Sequence, residues 1–141
     1  MIQEIIIISN TGIPLFNYTI AGKLNENYDY RLIASYFDQI CRFTRYGFNE
    51  SLVTLKLNKS EFYFYTHPEK FCHMIIKVDD KKLKKKLIDT LADELFNKFV
   101  LKFKNNLIHF NGNINRFKSF KEDIEVILKE KGLKPLIFSP L

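Results

Sequence analysis

The start of the chain constrains the fold most, because it predicts a β-hairpin whose first strand is apolar on both faces. An isoleucine run at residues 5–8 leads into a Ser-Asn-Thr-Gly turn at residues 9–12, and a second strand starts at Pro14. A strand that is apolar on both faces belongs in the middle of a sheet, with helices covering both sides. The hairpin therefore predicts a sheet with a helical layer on each face.

Composition limits the organisation of the chain. Its 141 residues, 46% of them hydrophobic, suffice for one core and are too few for two ordinary domains. We therefore expect a single domain over residues 1–141, with residues 132–141 as an apolar tail. Lys and Arg exceed Asp and Glu by 22 to 16, a formal charge of +6 that favours anionic neighbours without naming them.

The first helix is predicted over residues 28–46, because its apolar residues recur at steps of three and four. Asn27 or Asp29 is the expected N-cap, and Gly47 is the expected left-handed residue after the helix. The predicted buried stripe consists of Leu32, Ile33, Tyr36, Phe37, Ile40 and Phe43.

The rest of the chain predicts a three-stranded meander followed by two helices. Asp79 or Asp80 is the expected cap of the first of these helices, and Gly132 is expected to stop the second. The predicted strands cover residues 51–57, 61–66 and 71–78, and the predicted helices cover residues 81–103 and 114–131, separated by a polar connection at residues 104–113.

The order β-β-α-β-β-β-α-α, together with the segment IIIISNTGIPLF at residues 5–16, resembles the longin domain, or SNARE-like fold, which is related to roadblock domains. The resemblance covers residues 2–131. It implies a three-layer α+β fold with a five-stranded antiparallel sheet in the order 2-1-5-4-3. The first helix would lie on one face of the sheet and the last two on the other.

The resemblance also implies a class of function. Domains of this type serve as interaction platforms in membrane traffic and in regulators of small GTPases, and most pair with a second domain of similar fold. We therefore expect a non-enzymatic scaffold or regulatory subunit that binds a small GTPase or a trafficking complex as part of a homo- or heterodimer. We expect it to be cytoplasmic or peripheral at membranes, since neither a secretory leader nor a membrane-spanning run is visible.

Two surfaces are candidate contact sites. The first combines the Tyr and Arg residues that interfaces favour with the exposed strand expected at the sheet edge. Its residues are Arg31, Arg42, Arg45, Tyr46, Leu52, Thr54 and Lys56. The second is a lysine-rich helix start that could contact an anionic partner, formed by Lys81, Lys82, Lys84, Lys85 and Lys86. Alternatively, these lysines form a solvated helix start.

The lysine-rich helix start also supports an alternative function, a peripheral module that binds anionic lipid. A third hypothesis is a small-ligand sensor with a pocket beneath the first helix. Nucleic acid is not expected, because aromatic interleaving and arginine enrichment are absent from the lysine run.

The sequence contains no recognisable catalytic turn or phosphate-binding loop, so we predict neither an enzyme nor a cofactor. No metal site is expected either. Adjacent residues of a strand, such as Cys72 and His73, point to opposite faces, and His67 and His109 complete no standard ligand spacing. Cys41 and Cys72 are expected to be reduced thiols.

Overall fold

A computed structural model describes residues 2–19, 28–67, 69, 71–79 and 84–133. Its antiparallel sheet has five strands in the order β2-β1-β5-β4-β3, with helices on both faces. The α+β class, the element order and the strand order implied by the resemblance are therefore confirmed. The elements are β1 (Ile2–Ser9), β2 (Pro14–Thr19), α1 (Tyr30–Phe48), β3 (Thr54–Lys56), β4 (Glu61–Thr66), β5 (Cys72–Val78), α2 (Lys85–Ile108), a 3-10 helix (Asn115–Ser119) and α3 (Phe120–Glu130).

The isoleucine run of β1 supplies both cores of the protein. β1 lies between β2 and β5, and all four isoleucines are buried. Ile5 and Ile7 pack in the layer of α2 and α3, whereas Ile6 and Ile8 pack under α1. Because alternate side chains of a strand point to opposite faces, one continuous apolar run holds both helical layers to the sheet.

Asp29 caps the N-terminus of α1, which confirms one of the two predicted N-caps. Its carboxylate accepts hydrogen bonds from the backbone N–H groups of Arg31 and Leu32, at 3.0 and 3.3 Å. The other alternative, Asn27, lies outside the described residues. The cap satisfies two donors that the helix itself leaves without partners.

Replacing Asp29 with alanine is expected to lower the free energy of unfolding by about 0.5–2 kcal/mol, because both N–H groups lose their acceptor. Asp29→Asn keeps a side-chain oxygen at the same place and is expected to retain most of the stability. Urea denaturation of the two variants checks the prediction, and equal stabilities would show that the cap contributes nothing.

The C-terminus of α1 differs from its prediction. Gly47 lies inside the helix, which continues to Phe48, and the left-handed residue is Asn49, with φ of 57°. The prediction that Gly47 ends the helix was therefore wrong. Asn is the non-glycine residue that tolerates this conformation best, so a helix that passes through Gly47 can still end two residues later.

The buried side of α1 also differs from its prediction. Ala34, Phe37 and Asp38 are buried, whereas Leu32, Tyr36 and Phe43 of the predicted stripe are exposed. The helix carries apolar residues on both sides, so three- and four-residue spacing alone did not identify the inner one. The small side chain of Ala34 lets the helix backbone approach the sheet, and Phe37 fills the space beside it.

The layer on the other face of the sheet is built around aromatic side chains. The ring of Phe99 in α2 lies 5.0 Å from the rings of Phe103 and Phe120 and 5.5 Å from that of Phe117, measured between centroids. All four residues are buried. These contacts join α2, the 3-10 helix and α3 into one apolar core against the sheet.

The boundaries of α2 correct two predictions. Lys84 occupies its N-cap without a side-chain cap bond, so the predicted cap at Asp79 was wrong; Asp80 lies outside the described residues. The helix extends to Ile108, with non-helical backbone angles at Phe103, so it includes part of the predicted connection at 104–113. Phe103 is the last buried residue of the helix, and beyond it Leu107 is only partly buried against the same core.

The final helical segment begins as a 3-10 helix and becomes α3 at Phe120. Gly132 follows with φ of 71°, which confirms its predicted role as the stop. The apolar tail predicted at residues 132–141 lies outside the described residues beyond Leu133.

Candidate functional site

The solvent side of α1 is apolar and aromatic. Leu32, Tyr36, Phe43 and Tyr46 expose 68, 49, 72 and 81% of their surface, respectively. Their spacing of four, seven and three residues places them on one side of a helix with about 3.6 residues per turn. We call this side, together with Gln39 between Tyr36 and Phe43, the α1 outer face. The helix therefore packs one face on the sheet and presents a second apolar face to solvent.

Arginine is the charged residue that accompanies the α1 outer face. Arg31 and Arg45 are exposed, and the Arg42 side chain is about half exposed. The one acidic residue within α1, Asp38, is buried and accepts a hydrogen bond from Nε of Arg42 at 2.9 Å. The exposed charge of the helix is therefore positive.

The edge strand divides the predicted partner residues between two sides of the sheet. β3 lies at the sheet edge, as predicted, and Leu55 packs against the core under α1. Val53 and Leu57 share that side by alternation and are about half exposed. Thr54 and Lys56 point to the opposite side.

Leu52 is partly buried against the core under α1, so it supports the helix more than it offers a contact. Of the predicted partner residues, the arginines and Tyr46 thus share α1, while Thr54 and Lys56 belong to a different surface. Sequence reasoning missed Leu32, Tyr36 and Phe43 as contact residues. The sequence did offer one sign of them: α1 contains more large apolar residues than a single buried face can hold.

One lysine of the lysine-rich helix start is already paired with an acidic residue of the same helix. Lys84 and Lys86 are exposed, but Lys85 pairs with Asp89 at 3.0 Å. Lys81 and Lys82 lie outside the described residues. Because α2 packs on the face of the sheet opposite α1, the start of α2 at Lys84, Lys85 and Lys86 belongs to a different layer from the α1 outer face.

A buried carboxylate holds the first turn of α1 to the sheet. Glu4 of β1 is 4% exposed and accepts hydrogen bonds from the hydroxyls of Tyr30 and Thr19, the latter at 3.3 Å. Burial raises the pKa of Glu4 above its ordinary value, although Tyr30 and the nearby Lys77 oppose the shift. Folding therefore favours the protonated form of this carboxyl group.

Glu4→Gln is expected to change how stability depends on pH. Because the pKa of Glu4 is raised in the folded protein, its favourable contribution is present below the unfolded value of 4.5 and is lost as pH rises through the folded pKa. The stability of the Gln variant relative to the original protein should therefore rise between pH 4.5 and 7.

Denaturant unfolding of both proteins across that range measures the difference. Glu4→Ala serves as the comparison, because leaving the two hydroxyls without an acceptor is expected to cost about 1–3 kcal/mol. A stability difference between the Gln variant and the original protein that does not change with pH would contradict the prediction.

An open cleft of about 410 Å³ lies beside the C-terminal half of α1, at the end of the sheet where β4 ends and β5 begins. We call it the α1 cleft. Asp38, Arg42 and Arg45 line it from the helix, and Thr66 and His73 line it from the strands. This cleft lies beside the first helix rather than beneath it, where the sequence-based hypothesis of a ligand sensor placed its pocket.

Burial makes the two cysteine thiols poor nucleophiles. Burial raises the pKa of the Cys41 thiol to about 11, and that of the Cys72 thiol to about 12. Both thiols are therefore protonated at neutral pH, and the thiolate is the form that attacks electrophiles or binds metals.

The possible metal ligands do not converge. Cys72 packs in the layer of α2, while alternation turns His73 toward α1. Within the part of the chain that the structure describes, no three His, Cys, Asp or Glu residues are grouped so that they could hold a metal ion.

Comparison with known proteins adds no family. No protein-family model matches the chain, and a search of curated proteins also finds no match. Among the helices of the described ranges, none has the length and apolar character needed to cross a membrane.

Proposed function

We propose that this protein is a non-enzymatic interaction domain that binds a protein partner through the α1 outer face. The observation that carries the proposal is the exposure of four large apolar side chains on one side of a helix whose other side is already packed. Contiguous exposed apolar residues on a folded domain mark interaction sites, whereas scattered single ones need no explanation.

The composition of the surface supports a protein partner. Tyr36, Phe43 and Tyr46 are the aromatic type that interfaces concentrate, and arginine is the enriched cation. None of the four apolar residues of the α1 outer face belongs to the core on which α1 packs, although the ring of Tyr36 lies 5.8 Å from that of Phe37. These side chains therefore contribute little to the core and are exposed for contact with a partner.

The charge of the surface favours a different protein over a second copy. The exposed charges of α1 are those of Arg31, Arg42 and Arg45, and Asp38 is buried and paired with Arg42. Two copies joined through α1 would bring arginines together without exposed acidic residues from the helix to offset them. We therefore infer a heterodimer, with a partner that places acidic side chains around an apolar centre.

The resemblance to longin and roadblock domains suggests the class of that partner. We infer a small GTPase or a subunit of a membrane-trafficking complex, for which this protein would act as a scaffold or regulatory subunit. Its place would be the cytoplasm or the surface of a membrane to which the partner is attached.

Binding to anionic lipid is the alternative, and the exposed Lys84 and Lys86 favour it. These lysines and the α1 outer face belong to opposite layers of the fold, so the two do not form one continuous surface. A protein partner contacting α1 needs no such continuous surface. The alternative therefore depends on the lysines alone, without the aromatic residues that would anchor them.

Biolayer interferometry with the purified protein tests the proposal. The analytes are small GTPases of the same organism, each loaded with GDP or a GTP analogue, trafficking-complex subunits, and vesicles with and without phosphatidylserine. Saturable binding of a protein analyte that is lost in Phe43→Glu would support the proposal. Binding to phosphatidylserine vesicles alone, abolished by high salt and unaffected by Phe43→Glu, would contradict it.

A further inference from the structure

The α1 cleft contains two arginines and one carboxylate, and the carboxylate is already neutralised. Asp38 is 7% exposed and pairs with Nε of Arg42 at 2.9 Å. Arg42 also donates from Nη2 to the backbone carbonyl of Asn10 at 2.6 Å. These two contacts fix one guanidinium group at the wall of the cleft and leave the rest of its N–H donors available.

Arg45 brings a second positive charge that the described part of the chain does not balance. It lines the cleft and forms no ion pair with a described residue. An arginine of this kind carries five N–H donors in a planar group suited to carboxylate or phosphate oxygens. The cleft therefore has an excess of one positive charge when its histidines are neutral.

The two histidines near the cleft differ in direction: the ring of His67 packs against Phe71 and Phe96 of the α2 layer, whereas alternation turns His73 toward α1. His67 accepts a hydrogen bond at Nδ1 from the backbone N–H of Glu69, at 3.2 Å, so the proton of its neutral ring lies on Nε2. Its ring stacks on Phe71, with centroids 5.5 Å apart, which holds its orientation. Burial lowers the pKa of His73, whose Nδ1 is 2.9 Å from the hydroxyl of Thr66.

The remaining walls are less polar. Cys41, Tyr46, Ser51 and Leu52 complete the lining of the cleft. A cavity of about 410 Å³ is within the range of small-molecule sites, which combine apolar walls with a few placed polar groups. The apolar walls accommodate the body of a ligand, and the arginines accommodate its charged end.

We propose that the α1 cleft binds a small organic anion, with one carboxylate or phosphate group held by Arg45 and Arg42 and a less polar body against Cys41 and Leu52. The site shares Tyr46 with the α1 outer face and uses two arginines of the same helix, Arg42 and Arg45. Anion binding is tested on the protein alone, without a partner, so either proposal can fail without the other.

Two-dimensional NMR of the full chain, with amide shifts followed around Cys41 and Leu52, tests the site. The probes are benzoate, phenyl phosphate and inorganic phosphate, with benzamide as the uncharged counterpart of benzoate. The carboxylate and phosphate arms distinguish the two kinds of anion. We expect saturable shifts with benzoate or phenyl phosphate and none with benzamide.

Arg45→Gln is expected to weaken the binding of the responding anion by about tenfold or more, because charge-assisted hydrogen bonds are lost. Arg45 is exposed and forms no ion pair or side-chain hydrogen bond with a described residue, so the variant should fold. Arg31→Gln changes the same residue type at the other end of the same helix, away from the cleft, and should leave affinity unchanged.

Three outcomes would overturn the proposal. They are the absence of shifts with every anion up to its solubility limit, equal binding of benzamide and benzoate, and equal loss of affinity in Arg31→Gln and Arg45→Gln.

Discussion

Replacing Phe37 with alanine is expected to lower the free energy of unfolding by about 3–5 kcal/mol. Phe37 is 3% exposed, and its ring centroid lies 5.2 Å from that of Phe62 and 5.3 Å from that of Phe64. Removing the ring leaves a cavity between α1 and β4, which adds to the lost transfer free energy. Ala34 is the only other buried apolar residue among the described residues of α1, so removing the Phe37 ring weakens the packing of the whole helix on the sheet.

Phe43→Ala is the matched control, because it makes the same change in the same helix. Phe43 is 72% exposed, and alanine is the better helix former, so stability should stay within about 0.5 kcal/mol or rise slightly. Guanidinium denaturation of both variants measures the difference. Similar losses at the two positions would contradict the assignment of inner and outer sides to α1.

The second large effect is on binding. Phe43→Ala and Tyr46→Ala are each expected to weaken the partner complex by about thirtyfold, which corresponds to a loss of about 2 kcal/mol at an aromatic hot spot. Both side chains are more than 70% exposed, so the loss should occur without a change in folding.

Leu101→Ala is the control for binding. Leu101 is 81% exposed, but it lies in α2, on the other face of the sheet. Its replacement should leave the dissociation constant unchanged, as measured by isothermal titration calorimetry with the partner found in the binding screen. An equal effect at Leu101, or none at Phe43 and Tyr46, would place the interface elsewhere.

The sequence predicted the sheet well because turn residues bracket its strands. The predicted strand at residues 61–66 coincides with β4, since Asn58, Lys59 and Ser60 precede it and a His-Pro pair follows. The apolar runs in β1 and β5 also identified the inner strands. The third strand is the exception, because the prediction of residues 51–57 was wrong and only Thr54–Lys56 forms β3. Strand order therefore follows from local chemistry together with the resemblance, but the length of an edge strand does not.

Helix faces and helix ends were harder to predict, because they depend on contacts with the rest of the fold. The spacing of Leu32, Tyr36 and Phe43 fits a buried stripe as well as it fits an exposed one. The sheet instead receives Ala34 and Phe37, which only the packed structure distinguishes. The end of α1 was mispredicted for the same reason. Gly47 and Asn49 are both residues that can adopt the left-handed conformation after a helix, and the sequence alone did not distinguish them.

The position and residues of the α1 cleft could not be predicted from the sequence, which suggested only a pocket beneath the first helix. Its walls come from the β1–β2 turn, α1, the segment before β3, and the ends of β4 and β5. One local signal was available, the four-residue spacing of Asp38 and Arg42, which form an ion pair along the helix. Nothing in the sequence indicated that His73 would lie near them.

The most direct test of the proposed function is photo-crosslinking from the α1 outer face in living cells. A photoreactive residue at position 39 lies between Tyr36 and Phe43, and the same residue at the exposed position of Asn97 in α2 provides the control. The proposed function predicts a discrete protein adduct from position 39, identified by mass spectrometry, that is absent from position 97. Equal adducts from both positions, or lipid adducts alone from position 39, would contradict a protein-binding role for α1.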